Sequence, residues 1–240
     1  GDIAAMASYP TFNPNNVKEH IESNGNELIN KATQGEYAPG SVFKIVVAAA
    51  AIEKGIPQER EYDCKGYAEL EGVRIGCETG GEKGHGRINM KEAFAHSCNS
   101  YFIQLGREVG YDEIYKMAKK MGFGSNLLEG YPQEHSGHMM TAAESSGAGI
   151  GNLSIGQGQM LATPIQVASM TNIIASKGVD RGIHIVMEED EDERQVIETK
   201  TAKEVGEMMK AVTEEGTASY LGFSDEDGNA EAAVKTGTAE

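Results

Sequence analysis

Between Pro39-Gly40 and Gly55 the chain reads SVFKIVVAAAAIEK, and from Val42 to Ile52 this run is apolar or small at every position but one. A helix that is apolar all round is a buried helix, and Gly55 supplies its stop signal, so the rest of the chain must wrap around this segment. The exception is Lys44. It follows Ser41 by three residues, which places both side chains on one face near the helix start. A lysine in such surroundings must find polar partners or give up its charge. Two readings are open. Ser41 can be a helix N-cap with Lys44 extending along its aliphatic stem to water. Alternatively Ser41 is a nucleophile whose proton passes to a Lys44 made basic at neutral pH by burial. Ser-x-x-Lys arises by chance about once in a few hundred residues, so the decision rests on the remainder of the sequence.

The 240 residues suffice for one large domain or two small ones, and 39% hydrophobic content can fill a core. With 37 acidic against 21 basic residues the formal charge is −16, which disfavours nucleic acid as a general partner. No apolar run reaches the ~20 residues of a membrane span, and no signal peptide is visible, so the chain as given reads as soluble. It starts at Gly1 within GDIAAMASYP, which reads as a turn followed by a strand, and stops at AAVKTGTAE, which reads as a strand cut short. Both ends are expected to be interior points of a longer fold. The three cysteines, Cys64, Cys77 and Cys98, match no zinc-ribbon spacing. Cys64 and Cys77 flank a hairpin-like stretch with a Glu-Gly turn; a disulfide between them, in an oxidising compartment, and two free thiols near the surface both remain open.

Along the chain, helical periodicity follows Asn89, with a break expected around Ser97-Cys98-Asn99, and a further amphipathic helix ends at Gly122. Thr163-Pro164 opens another helix, and residues 201–218 form the last. Residues 183–198 alternate around an acidic tip, Glu188 to Glu193, which lacks the glycine-punctuated spacing of a calcium loop. His135 and His138 have no third ligand in view, so no metal is expected there; His85 in GHG is expected to be structural. With strands at the two ends and helices between, an α/β part over residues 1–55 and 161–240 is expected to hold a mainly helical part, 56–160.

Two further motifs place polar groups on otherwise apolar elements: Ser97-Cys98-Asn99, and Lys235-Thr236-Gly237-Thr238 after Ala232 to Val234. Gly237 lacks a side chain where another backbone can approach. Taken singly, the first is a polar helix break and the second an edge strand with polar punctuation. Ser-x-x-Lys, Ser-x-Asn and Lys-Thr-Gly in this order form the motif set of the penicillin-recognising serine enzymes. The chain resembles the transpeptidase domain of penicillin-binding proteins, most closely the class B type, and ASYPTFNPN, YAPGSVFK, GHGRINMKEAFAHSCNSYF and LSIGQGQMLATPIQVASM extend the likeness over nearly its whole length. The resemblance implies an α+β fold, an antiparallel sheet flanked by helices with an all-helical portion, and no cofactor. It implies that Ser41 attacks the carbonyl of a D-alanyl-D-alanine stem peptide or of a β-lactam, with Lys44 as its base. Ser97 would relay a proton to the leaving amine, and Asn99 would hold Lys44 or the substrate amide. Lys235, Thr236 and Thr238 would bind the substrate carboxylate, beside Gly237. The backbone N–H groups of Ser41 and Thr238 would form the oxyanion hole.

Transpeptidase domains of this family continue past Lys-Thr-Gly into further strands. The final strand here is therefore expected to be displaced, disordered or paired with another chain, with slow acylation and self-association as consequences. The alternatives to a peptidoglycan transpeptidase are a serine β-lactamase, for which no class A Glu-x-x-x-Asn is apparent, and a β-lactam sensor or non-catalytic scaffold. The resemblance further implies a membrane-anchored parent on the extracytoplasmic face of a bacterial membrane, working with cell-wall synthesis partners.

Overall fold

The computed structural model describes residues 1–23, 25–81, 83–186 and 193–238. In chain order its elements are α1 (Val17–Ile21), α2 (Lys44–Glu53), β1 (Tyr62–Cys64), β2 (Tyr67–Leu70), β3 (Val73–Gly76), β4 (Gly86–Ile88), α3 (Met90–Ala95) and α4 (Asn99–Val109). They continue with α5 (Tyr111–Lys120), α6 (Gly149–Ser154), α7 (Pro164–Ala175), β5 (Val179–Asp180), β6 (Arg194–Gln195) and α8 (Thr199–Glu214). The all-apolar run is α2, and every residue from Lys44 to Ala51 is buried. It packs against α4, α5 and α8. Ala48 to Ala51 present no bulk, which lets three helices approach one axis, and Phe43 meets Phe123 edge-on at its start.

Local chemistry sets the helix ends. Asn89 and Glu92 form a reciprocal capping box at the start of α3. The break expected near residue 97 is present: Ser97 adopts φ 54°, and the Cys98 sulfur accepts the Tyr101 N–H at 3.3 Å to cap α4. Thr163, Pro164 and Gln166 open α7 with a capping box and proline at the first turn.

Helices and small antiparallel ladders make this an α+β fold. The described residues contain three two-stranded ladders, β1 with β4, β2 with β3, and β5 with β6. Glu71 and Gly72, at φ 49° and 80°, form the tight turn of the β2–β3 hairpin. Among the described residues the strands expected at the two ends are not formed. Near the start only Asp2 makes a bridge, parallel to His184. The hairpin expected over 183–198 has its ladder earlier and narrower, at Val179–Asp180 with Arg194–Gln195. Of its acidic tip, residues 188–192 lie outside the described residues.

The C-terminal segment departs from expectation in an informative way. Residues 233–238 form no strand, yet the segment lies against α8 and reaches the cleft, with Lys235 on Ser97. The Val234 N–H donates to Met209 O at 3.1 Å, and the Thr213 hydroxyl donates to Ala232 O at 2.7 Å. Two of the backbone groups that a neighbouring strand could have used, Ala232 O and the Val234 N–H, are thus taken by α8. The cysteines left open between a bridge and surface thiols resolve as neither: Cys64 and Cys77 are free and 1% and 2% exposed.

Candidate active site

Ser41 is not a helix N-cap. It sits inside a 3-10 turn, Gly40–Phe43, that runs into α2, and its carbonyl accepts the Lys44 N–H. The turn is held from behind: the Gly40 N–H donates to Gly156 O at 2.8 Å. A Cβ on Gly156, whose φ is 67°, would lie 2.3 Å from Gly40 O. Only glycine fits there.

Lys44 does not reach water. It is 0% exposed, and its three ammonium donors go to Ser97 O at 2.7 Å, Asn99 Oδ1 at 2.7 Å and Ser97 Oγ at 3.1 Å. Burial, reinforced by the nearby Lys235 charge, lowers its pKa to about 7. Lys235 reaches the same hydroxyl from the opposite side, Nζ to Ser97 Oγ at 2.9 Å, and also donates to Thr236 O at 3.0 Å. Burial lowers its pKa to about 8. The two ammonium groups thus converge on one serine. Each also lies 5.7 Å from an aromatic ring centre, Lys44 over Phe102 and Lys235 over Phe94. The Asn99 amide donates to Gly76 O at 3.2 Å, which orients its oxygen toward Lys44.

These groups border a cleft of about 960 Å³ whose lining includes Ser41, Ser97, Asn99, Thr236, Gly237 and Thr238. All eight residues singled out in the sequence therefore meet at one place. A Cβ on Gly237 would come within 3.1 Å of Val42 Cγ1, so its absence lets the segment lie close along the Ser41 turn. Nine further lining residues were not foreseen, and three of them stand beside the Lys235–Thr238 segment or at the rim. Gln157 donates to Thr238 O at 3.3 Å, Thr217 touches the Thr236 hydroxyl, and Tyr220, 81% exposed, stands at the rim. Gln157 lies in the GQGQ stretch that carried part of the resemblance, whereas Thr217 looked like ordinary helix-end punctuation.

One donor set adjoins the cleft. Cys64, Cys77, His85 and Cys98 place their ligand atoms within 4.8 Å of one another, a set of three thiols and an imidazole that suits zinc. Cys98 stands between Ser97 and Asn99, its sulfur 3.6 Å from that of Cys77. Hydrogen bonding with Cys98 and with the backbone N–H groups of Ser100, Gly80 and Asn99 holds the Cys77 thiol well below its ordinary value. Cys98 is pushed up by its bond with Cys77 and by burial. His96 stacks on His85 at 5.7 Å, so His85 is part of a packed cluster.

Chemically, the cleft offers a hydroxyl on a rigid turn, a neutralisable amine behind it, a second hydroxyl held between two cations, and donors for an anion. Comparisons with known proteins bear on the chain as a whole. The penicillin binding protein transpeptidase domain family matches residues 1–240. Stage V sporulation protein D of Bacillus subtilis is 31% identical over 238 residues, covering 90% of this chain and 35% of the relative. Peptidoglycan D,D-transpeptidase MrdA of Acinetobacter baumannii is 34% identical over 197 residues, covering 74% of the chain and 29% of the relative. The solved structure of Pseudomonas aeruginosa PBP2 in complex with WCK 5153 superposes with a TM-score of 0.77 at 26% identity, over 90% of this chain and 56% of that one. The chain spans about a third of the length of these two curated relatives.

Proposed function

This chain belongs to the penicillin-binding protein transpeptidase family, and on that premise we propose that it is the acyl-transfer unit of a peptidoglycan D,D-transpeptidase that β-lactams also acylate. The observation that carries the reading is the convergence of Lys44 and Lys235 on the Ser97 hydroxyl beside the cleft that Ser41 lines. Neutral Lys44 takes the Ser41 proton as the serine oxygen bonds to the penultimate D-alanine carbonyl carbon. The oxyanion is met by the backbone N–H groups of Ser41 and Thr238. As the C–N bond breaks, Ser97 passes a proton to the departing D-alanine amine, recharged from the lysine pair. An amine of a second stem peptide then attacks the ester, and Ser41 recovers its proton. With a β-lactam the leaving nitrogen stays tethered, so the acyl-enzyme persists.

Lys235, Thr236 and Thr238 bind the substrate carboxylate in this reading, the cation supplying the charge and the hydroxyls the direction. The substrates are peptidoglycan stem peptides, and the working location is the extracytoplasmic face of a bacterial membrane, with anchor and synthesis partners outside this chain. Among the described residues no helix is long and apolar enough to cross a membrane.

A fluorescent penicillin tests the proposal on the full-length protein. Stable label at the Ser41 peptide, abolished in Ser41→Ala, is the expected result. Label mapped to another peptide refutes the nucleophile, and label lost rapidly in a chase marks a β-lactamase instead.

A further inference from the structure

The three residues that follow α8 at a distance of one, Gly216, Thr217 and Ala218, join two parts of the cleft that are remote in sequence. The Thr217 N–H donates to Ala95 O at 3.1 Å, at the end of α3 and two residues before Ser97. A Cβ on Gly216 would lie 2.2 Å from that same carbonyl oxygen, so the backbone is pressed against α3 as closely as glycine permits. Ala218 is 0% exposed, and its N–H returns to Val212 O at 3.1 Å. Thr217 is thereby fixed on both sides. Its side chain faces the cleft and meets the Thr236 hydroxyl, Oγ1 to Oγ1, at 2.6 Å.

We propose that Thr217 is a positioning residue for the substrate carboxylate: its hydroxyl donates to Thr236 Oγ1, which commits the Thr236 O–H to donate into the cleft. The direction of this pair follows from the ligand. A carboxylate only accepts hydrogen bonds, so Thr236 binds it as a donor and must itself accept from Thr217. The reverse orientation spends the Thr236 proton on Thr217 and turns lone pairs toward an anion. Lys235 cannot set this orientation, because it donates to the Thr236 backbone carbonyl, not to its hydroxyl. Chained donors polarise one another, so the outer bond is strengthened as well as aimed. The proposal rests on the transpeptidase reading above and adds to it the group that orients its anion site.

The test uses full-length protein and compares Thr217→Val, which keeps the shape and removes the hydroxyl, with Thr217→Ser, which restores it. Acylation at Ser41 is followed with benzylpenicillin and with its methyl ester, which lacks the anionic carboxylate. Thr217→Val should lower acylation efficiency for the free acid roughly tenfold, the scale of one hydrogen bond to a charged group, with the loss in binding more than in the limiting rate. Thr217→Ser should recover most of it, and the ester should be acylated alike by wild type and variant. Unchanged acylation by Thr217→Val, equal losses for Val and Ser, or equal losses for acid and ester each overturn the proposal. If Thr217→Val is unstable, Thr217→Ala is read in a cycle with Thr236→Val: where Thr236 has no hydroxyl left to orient, Thr217→Ala should cost nothing further for the acid, and a fully additive loss overturns the proposal. A wild type that carries no label at Ser41 refutes the transpeptidase reading instead.

Discussion

If Lys44 is the base and Lys235 holds the anion, acylation should follow a narrow bell against pH, and a single substitution should open one side of it. At an ordinary lysine pKa of 10.5, about 3 in 10,000 side chains are neutral at pH 7; with Lys44 lowered to about 7, about half are. Burial therefore raises the supply of free base roughly a thousandfold, within the range general bases contribute. Below pH 7 Lys44 gains its proton, and the second-order acylation rate should fall toward tenfold per unit. Above about 8 Lys235 loses its charge, and recognition of the carboxylate should decline. Both groups bond the Ser97 hydroxyl, so the two limbs report the pair as a unit. Lys235→Arg keeps a cation that does not titrate in this range. It should erase the descending limb while the ascending limb stays near 7. The assay is the rate of benzylpenicillin acylation in full-length protein between pH 5 and 10, with the modified peptide mapped. A rate independent of pH between 5 and 7, or a descending limb near 8 that survives in Lys235→Arg, refutes the division of roles.

Two more perturbations follow from the geometry. Asn99→Ala removes an acceptor of the buried Lys44 ammonium, so the charged form loses support and the ascending limb should move to lower pH; a move to higher pH shows that Asn99 does not stabilise the cation. Gly156→Ala forces a Cβ into Gly40 O at a left-handed backbone position, and should cost about 1–3 kcal/mol in thermal unfolding while slowing acylation through the Ser41 turn. An unaltered melting temperature and rate would show that the turn is not braced there.

What the sequence disclosed follows from how local each determinant is. The burial of α2 was readable because eleven consecutive residues state it, and the α7 start because Thr-Pro is a self-contained signal. The break at Ser97 was readable as a polar interruption of an apolar face. The fate of residues 232–238 was not. Their apolar start and polar continuation promised a strand, but whether the backbone groups meet a strand or a helix depends on α8, and no local pattern records that Met209 and Thr213 offer the partners. The thiol cluster stayed hidden for a similar reason: its four members come from β1, the end of β3, the approach to β4 and the α3–α4 break, and their spacing follows no ribbon rule. Thr217 had no signal beyond a small residue after a helix, since its meaning lies in Ala95 and Thr236, each remote along the chain.

The docking of the final segment on α8 makes that helix a ruler for the cleft. Met209 O and the Thr213 hydroxyl hold residues 232–234, and Thr217 just beyond the helix holds Thr236, while at the other end the Glu198 N–H is tied to Glu53 on α2. The distance from nucleophile to anion site is thus measured along α8 and its packing on α2 and α3. Misplacement of about 1 Å can cost about a hundredfold in rate. Met208 and Ala211, both 0% exposed and neither lining the cleft, are positions where a change of side-chain volume would slide that ruler. On the transpeptidase reading proposed above, a substitution buried in this helix would slow acylation by β-lactams without altering any residue that touches the drug.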